Sequence, residues 1–172
     1  DYGYGAVTST VFAKLRTVAK PHRLPLVVDS RFDMGRFEGA TAITPNITEL
    51  EASTGISIGS DTATLARISR DVLRRQKLGC LLVTQGRFGM TLFQPCRPPL
   101  HIPIFGTDEV ADVTGAGDTV IAVFTLALAS GGSAADAARL ANYAGGIVVM
   151  KRGTATVTQA ELRAAIRQDF ST

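Results

Sequence analysis

Two short apolar runs set the kind of fold open to this chain. Leu24-Pro25-Leu26-Val27-Val28-Asp29 and Cys80-Leu81-Leu82-Val83-Thr84 lack the polar alternation of a half-exposed strand. Near-continuous hydrophobicity over so short a span is what strands buried on both faces of a parallel sheet require. Helical patterns alternate with them. Thr8 or Ser9 can cap a helix running to about Lys20, with Val11, Phe12, Leu15 and Val18 on one face, and Pro21 ends it. Thr41 to Thr44 reads as a short strand closed by Pro45. Asn46 opens a helix, and Asp61 opens a longer one reaching about Lys77. Gly89 to Gln94 predicts a strand after a turn, a hairpin near the sheet edge, and His101 to Ile104 predicts another strand. After a loop from Phe105 to Thr114 come two helices, Ala116 to Ala129 and Ser133 to Met150. The first is apolar nearly all round and is therefore expected to be buried. The second is rich in Ala and Gly, which permits close packing. Thr158 with Glu161 is a capping-box pattern for a last helix. The expectation is one domain over residues 1–172, α/β, with a largely parallel sheet.

Composition narrows function mainly by exclusion. Nucleic-acid binding would need a basic stripe with interleaved aromatics. The 18 Lys and Arg are instead scattered among 15 Asp and Glu, and there is no Trp. Cys80 and Cys96 lack CxxC spacing and His22 and His101 stand apart, so no His/Cys metal cluster is expected. The two thiols read as reduced, at least one of them buried in a strand. The longest apolar stretch, Val120 to Ala129, is far short of the ~18 residues that a membrane span needs. The default expectation is a cytoplasmic protein without membrane or nucleic-acid partners. The opening Asp1-Tyr2-Gly3-Tyr4-Gly5 reads as the middle of a domain, which suggests a fragment.

Chemistry concentrates in Asp112-Val113-Thr114-Gly115-Ala116-Gly117-Asp118-Thr119. Two glycines and an alanine allow a tight turn and close approach to a ligand. They lead directly into a helix, whose unpaired N–H groups and positive dipole end favour an anion such as phosphate. Asp118 falls in the first turn, where a carboxylate can take a proton from an attacking hydroxyl held within hydrogen-bond reach. The plainer reading is an acidic residue complementing the helix dipole beside an ordinary turn. No GxxxxGK[ST] loop and no strand–GxGxxG–helix fingerprint occurs, which disfavours P-loop kinases and dinucleotide enzymes.

With that segment in place, the chain resembles the ribokinase-like (PfkB) carbohydrate kinases. Asp1-Tyr2-Gly3, Val28-Asp29, Thr44-Pro45-Asn46-Ile47-Thr48-Glu49, Thr84-Gln85-Gly86-Arg87-Phe88-Gly89, Asn142-Tyr143-Ala144-Gly145 and Gly153-Thr154-Ala155 follow the family's order and spacing. Gly153 to Thr158, with Gln94-Pro95 through Pro103, is similar to the heptose-7-phosphate kinase domain of ADP-heptose synthesis. The resemblance implies a ribokinase-like three-layer α/β/α fold, of which this is the C-terminal, nucleotide-binding part, with the N-terminal half and lid missing. It implies ATP and Mg²⁺ as cofactors and a sugar or sugar phosphate as acceptor, with K⁺ in some relatives. Because the family's lid often mediates dimers, a homodimer is implied for a full-length protein.

Roles then follow by position. Asp118 would be the base, and Gly115, Ala116 and Gly117 would offer backbone N–H groups to the transferring phosphoryl. Asn46 and Glu49 match the NxxE that organises Mg²⁺ and its waters, although Asn-x-x-Glu is equally a capping box. Thr84, Gly86 and Gly89 match a turn that packs on the nucleotide's phosphates and ribose, where a plain strand-ending turn is the alternative. Asn142 matches a position lining the adenine pocket, where a polar residue on the helix's solvent face is the alternative. Asp112 and Thr114 match positions that hold a monovalent cation in some relatives. Two departures stand out: Tyr4 where relatives often have Lys, and Asp29-Ser30-Arg31 where many have Asp-Pro-Lys. Lys and Arg bind phosphate differently, so phosphate contacts are expected to differ there. The rival expectation is a non-catalytic ATP-binding fragment or regulatory module.

Overall fold

The computed structural model describes residues 1–106 and 112–169. The part of the Phe105–Thr114 loop at residues 107–111 lies outside them. The chain divides into two compact units, Asp1–Gln85 with Thr91–His101, and Gly86–Met90 with the described residues from Ile102 onward.

The first unit carries the sheet. Its elements are α1 (Ser9–Ala19), β1 (Val27–Val28), a 3₁₀ turn (Met34–Phe37), β2 (Ala42–Ile43), α2 (Ile47–Thr54), α3 (Thr62–Arg75) and β3 (Cys80–Thr84). β4 (Met90–Phe93) and β5 (Leu100–Ile102) complete it, and the strand order is β1-β2-β3-β4-β5. β1 and β2 pair in parallel, with Val27 opposite Ala42, as do β2 and β3, with Ala42 opposite Cys80. The connections over residues 85–89 and 94–99 are too short for a parallel crossover, which takes a dozen residues or more, so β3–β4 and β4–β5 are hairpins. The largely parallel α/β reading and the hairpin at the edge both hold.

Helix starts follow capping chemistry. Thr8, Asn46 and Asp61 each accept a backbone N–H of the following helix. The core collects Phe12, Phe37, Ile43, Leu50, Leu65, Ile68, Leu81 and Val83, with Phe12 edge-on to Phe37 at 5.2 Å.

The second unit contains α4 (Ala116–Ala129), α5 (Ala134–Val149) and α6 (Gln159–Asp169). Ser133 caps α5, and Thr158 with Glu161 forms the expected box at α6: Thr158 N donates to Glu161 Oε2 and Glu161 N to Thr158 Oγ1. The small residues of α5 permit close packing, as expected. A Cβ on Gly145 would stand 2.9 Å from Val120 Cγ2 of α4, so α4 and α5 can meet closely only because none is there.

Three burial expectations are corrected. α4 buries only Val120 and Phe124, and Leu126 is 67% exposed. An apolar composition tolerates burial on every side, but α4 packs through one side, on α5. In α1, Phe12 and Ala19 are buried while Val11, Leu15 and Val18 are exposed, because the helix meets the 3₁₀ turn through Phe12. β1 is only half-buried and spans two residues, since it is the sheet's edge strand with a single neighbour. Cys80 is buried, and desolvation raises its thiol pKa to about 12, while Cys96 is exposed. Among the described residues no helix is long and apolar enough to cross a membrane.

Candidate functional site

In the first unit the parallel strands deliver two of the singled-out segments to their carboxyl ends, where ligands sit in open α/β sheets. β2 runs through Thr44 and Pro45 to Asn46, the N-cap of α2, and Asn46 bridges in parallel to Thr84 at the end of β3. Thr84 N donates to Pro45 O at 2.9 Å. Asn46 Oδ1 accepts Glu49 N at 2.8 Å, and Glu49 Oε2 accepts Asn46 N at 2.9 Å. The capping box is therefore fully formed. It leaves Glu49 Oε1 and Asn46 Nδ2 without a partner among the described residues. No cluster of three or more His, Cys, Asp or Glu side chains is present among those residues. A cage built wholly of protein ligands is thus absent, whereas Mg²⁺ bound through one carboxylate, waters and substrate phosphates fits an uncommitted Glu49 oxygen.

In the second unit Gly115 is the N-cap of α4 in the left-handed region, φ 77°, with no side-chain cap. The first helical bond is Thr119 N to Gly115 O, and Ala116 N makes a 3.2 Å turn bond to Val113 O. Gly115 N, Gly117 N and Asp118 N have no hydrogen-bond partner among the described residues. Two of the three expected donors are thus open. The backbone N–H of Asp118 is a further open donor that the sequence reading missed; it follows from the rule that the first four N–H groups of a helix have no partner within it. Asp118 and Gly117 are exposed, and a Cβ on Gly117 would meet nothing within 4 Å.

Asp112 braces this turn. Its Oδ1 accepts Thr114 N at 2.8 Å and its Oδ2 accepts Gly153 N at 3.2 Å, tying the loop after α5 to the start of α4. These bonds, the one from Thr114 N foremost, hold the carboxyl below its usual range. A monovalent cation at Asp112 would share a carboxylate already bonded to two N–H groups, each oxygen keeping a lone pair for it.

Gly89 and Asn142 meet at one backbone segment. A Cβ on Gly89, φ 82°, would collide with Ile102 O and stand 2.7 Å from Ile104 N and Pro103 C. Asn142 is 7% exposed, and its Nδ2 donates to Pro103 O at 2.8 Å. It also borders a cavity of about 810 Å³ with Ile104, Phe105, Arg139 and Tyr143. That volume lies within the range of small-molecule pockets, and the mix of apolar walls with a few polar groups is typical of them. Gly86, φ 57°, turns the chain after Thr84 without crowding. The structure thus joins Asn46, Glu49 and Thr84 in one unit. In the other it joins Gly89 to Asn142, and Asp112 to Thr114 and the Gly115–Asp118 turn.

Comparison with known proteins gives these features a family context. The profile of the pfkB family carbohydrate kinases matches residues 6–161. The bifunctional protein HldE of Geobacter metallireducens is 47% identical over 163 residues, which are 94% of this chain and 33% of that protein. HldE of Klebsiella pneumoniae subsp. pneumoniae is 45% identical over 168 residues, 97% of this chain and 34% of that protein. The chain therefore spans about a third of the length of these curated relatives. Among solved structures, Arabidopsis thaliana ribokinase complexed with ribose and ATP superposes with a TM-score of 0.82 at 22% identity, covering 93% of this chain and 53% of that one. Escherichia coli phosphofructokinase-2 in complex with potassium gives 0.78 at 18% identity, covering 94% and 53%. These likenesses establish a ribokinase-like fold.

Proposed function

Because this chain belongs to the pfkB family of carbohydrate kinases, we propose that it supplies the nucleotide-handling part of an ATP-dependent phosphoryl transfer to a hydroxyl of a sugar or sugar phosphate. The observation that carries this reading is the junction at Gly115. A left-handed glycine turns the chain into α4, so that open N–H groups and the Asp118 carboxylate share one exposed first turn. Asp118 accepts the proton of the attacking hydroxyl once an acceptor is held within hydrogen-bond reach. The N–H groups of Gly115 and Gly117, joined by that of Asp118, meet the negative charge that grows on the transferring phosphoryl. Such pre-placed donors carry much of the catalysis in phosphoryl transfer. Ala116 N joins them where its 3.2 Å turn bond gives way.

Thr84, Gly86 and Gly89 pack on the phosphates and ribose, and Asn142 borders the cavity offered to adenine. Mg²⁺, when bound, neutralises charge on the phosphates. Glu49, through its uncommitted oxygen, and Asn46 orient the water shell of that ion. Asp112 with Thr114 is the position for K⁺. Heptose 7-phosphate is the acceptor favoured by the resemblance of Gly153–Thr158 and Gln94–Pro103, and by relatives at 47% and 45% identity named HldE.

The test is Mg-ATP binding together with acceptor-dependent ADP release by the full-length gene product. Turnover on a sugar or sugar phosphate supports the reading. ATP bound without turnover on any acceptor would make the site a binding module instead.

A further inference from the structure

Gln85 lies inside the proposed nucleotide turn, between Thr84 and Gly86, yet none of the roles assigned so far uses its side chain. Its amide is held from behind. Thr91, 6% exposed on β4, places Oγ1 2.6 Å from Gln85 Oε1 and 3.1 Å from His101 Nδ1 on β5. A hydroxyl has one proton to give. The 2.6 Å separation suits O–H···O, which peaks near 2.7–2.8 Å, and is short for N–H···O, which runs from about 2.7 to 3.2 Å. The amide oxygen, not the amino group, therefore faces Thr91, and the hydroxyl proton points to Gln85. His101 must then donate through Nδ1–H, and 3.1 Å is an ordinary length for that bond. The hydrogen bond made by one ring nitrogen fixes the tautomer of the imidazole.

Resting on the proposed nucleotide site, we infer that Gln85 is a further nucleotide-binding residue, and that Thr91 and His101 are the positioning residues that orient it. With Oε1 committed to Thr91, the end of the amide left for a ligand is the NH₂ group. That group is a double donor suited to phosphate or ribose oxygens and unsuited to a cation. The strand pair β4–β5 thereby sets the chemistry of a turn whose backbone alone would be sequence-blind.

The experiment measures Mg-ATP affinity in the full-length gene product for Gln85→Met, Thr91→Val, Thr91→Ser and the double variant Gln85→Met/Thr91→Val. Loss of one neutral hydrogen bond corresponds to a roughly two- to tenfold weaker Kd. Gln85→Met and Thr91→Val should each show it. Thr91→Ser should restore native affinity, and the double variant should be no weaker than Gln85→Met, because both act through one amide. Native affinity in Thr91→Val, or additive losses in the double variant, would overturn the inference while leaving the kinase reading intact. Absence of Mg-ATP binding in the wild-type protein would overturn both. Nitrogen NMR of His101 needs no variant: protonated Nδ1 with bare Nε2 in the neutral ring is expected, and the Nε2–H form, which a free side chain prefers, contradicts the relay.

Discussion

The side-chain amide of Asn142 donates to the carbonyl of Pro103 at 2.8 Å, and the same stretch of backbone is what leaves Gly89 no room for a Cβ. Two residues placed at the nucleotide by resemblance are thus mechanically linked, one bracing the segment on which the other rests. Asn142→Leu would remove the buried donor to the carbonyl of the exposed Pro103. We expect a loss of about 0.5–1.5 kcal/mol of stability together with weaker Mg-ATP binding, read by denaturant titration and calorimetry. Unchanged stability would show that the Pro103 contact carries no weight.

The two glycines of the turn separate strain from collision. Gly86→Ala, at φ 57° with open space around it, should cost about 1–2 kcal/mol for the left-handed backbone. Gly89→Ala adds a collision with Ile102 O and should cost clearly more, enough to lower the unfolding midpoint well below that of Gly86→Ala. Equal midpoints would contradict the packing of residues 102–104 on this turn.

Glu49 offers a separation of cap from catalysis. Gln serves as well as Glu in a capping box, so Glu49→Gln should leave stability nearly native. The proposed role beside Mg²⁺ needs the charge, so kcat should fall by more than tenfold, and raising Mg²⁺ should restore part of it. Asn46→Ala should instead lose about 1 kcal/mol of stability as a broken cap. Full activity in Glu49→Gln would reduce NxxE to a helix start.

Glu161 gives the second unit a pH dependence. The Lys151 ammonium at 2.6 Å, and then the Thr158 N–H and hydroxyl, hold its carboxyl down to about 2, against an ordinary value of 4.5. A depressed carboxylate stabilises the fold above its unfolded pKa and loses that effect as pH falls toward the folded one. Loosening of α6 is therefore expected between pH 4.5 and about 2, and less so in Glu161→Gln. Hydrogen exchange of the α6 amides across that range checks it. Because the pair is partly exposed, high salt should blunt the effect.

Much of this was legible in the residues because local chemistry decides it. Asn46 with Glu49, Thr158 with Glu161, and Ser133 announce their helices through caps that depend only on neighbours in sequence. The Gly115–Asp118 turn was readable for the same reason. Burial was less so. Leu126, Val11 and Val18 are apolar and exposed, since a pattern of hydrophobicity says which face tolerates cover and not which face receives it. The Gln85–Thr91–His101 chain escaped notice because its members are brought together by strand pairing. The bond from Asn142 to Pro103 spans 39 positions, beyond any local rule.

The central claim is that Asp118 is the base of a phosphoryl transfer. It is tested most directly by ADP release from Mg-ATP by the full-length gene product, native and Asp118→Asn, with heptose 7-phosphate, fructose 6-phosphate, fructose and ribose as acceptors. Loss of a general base costs about 10²–10⁴ in rate. Acceptor-dependent release should therefore fall by at least that lower bound in Asp118→Asn, with ATP affinity nearly unchanged. Near-native turnover by Asp118→Asn on any acceptor the native protein uses would contradict the account.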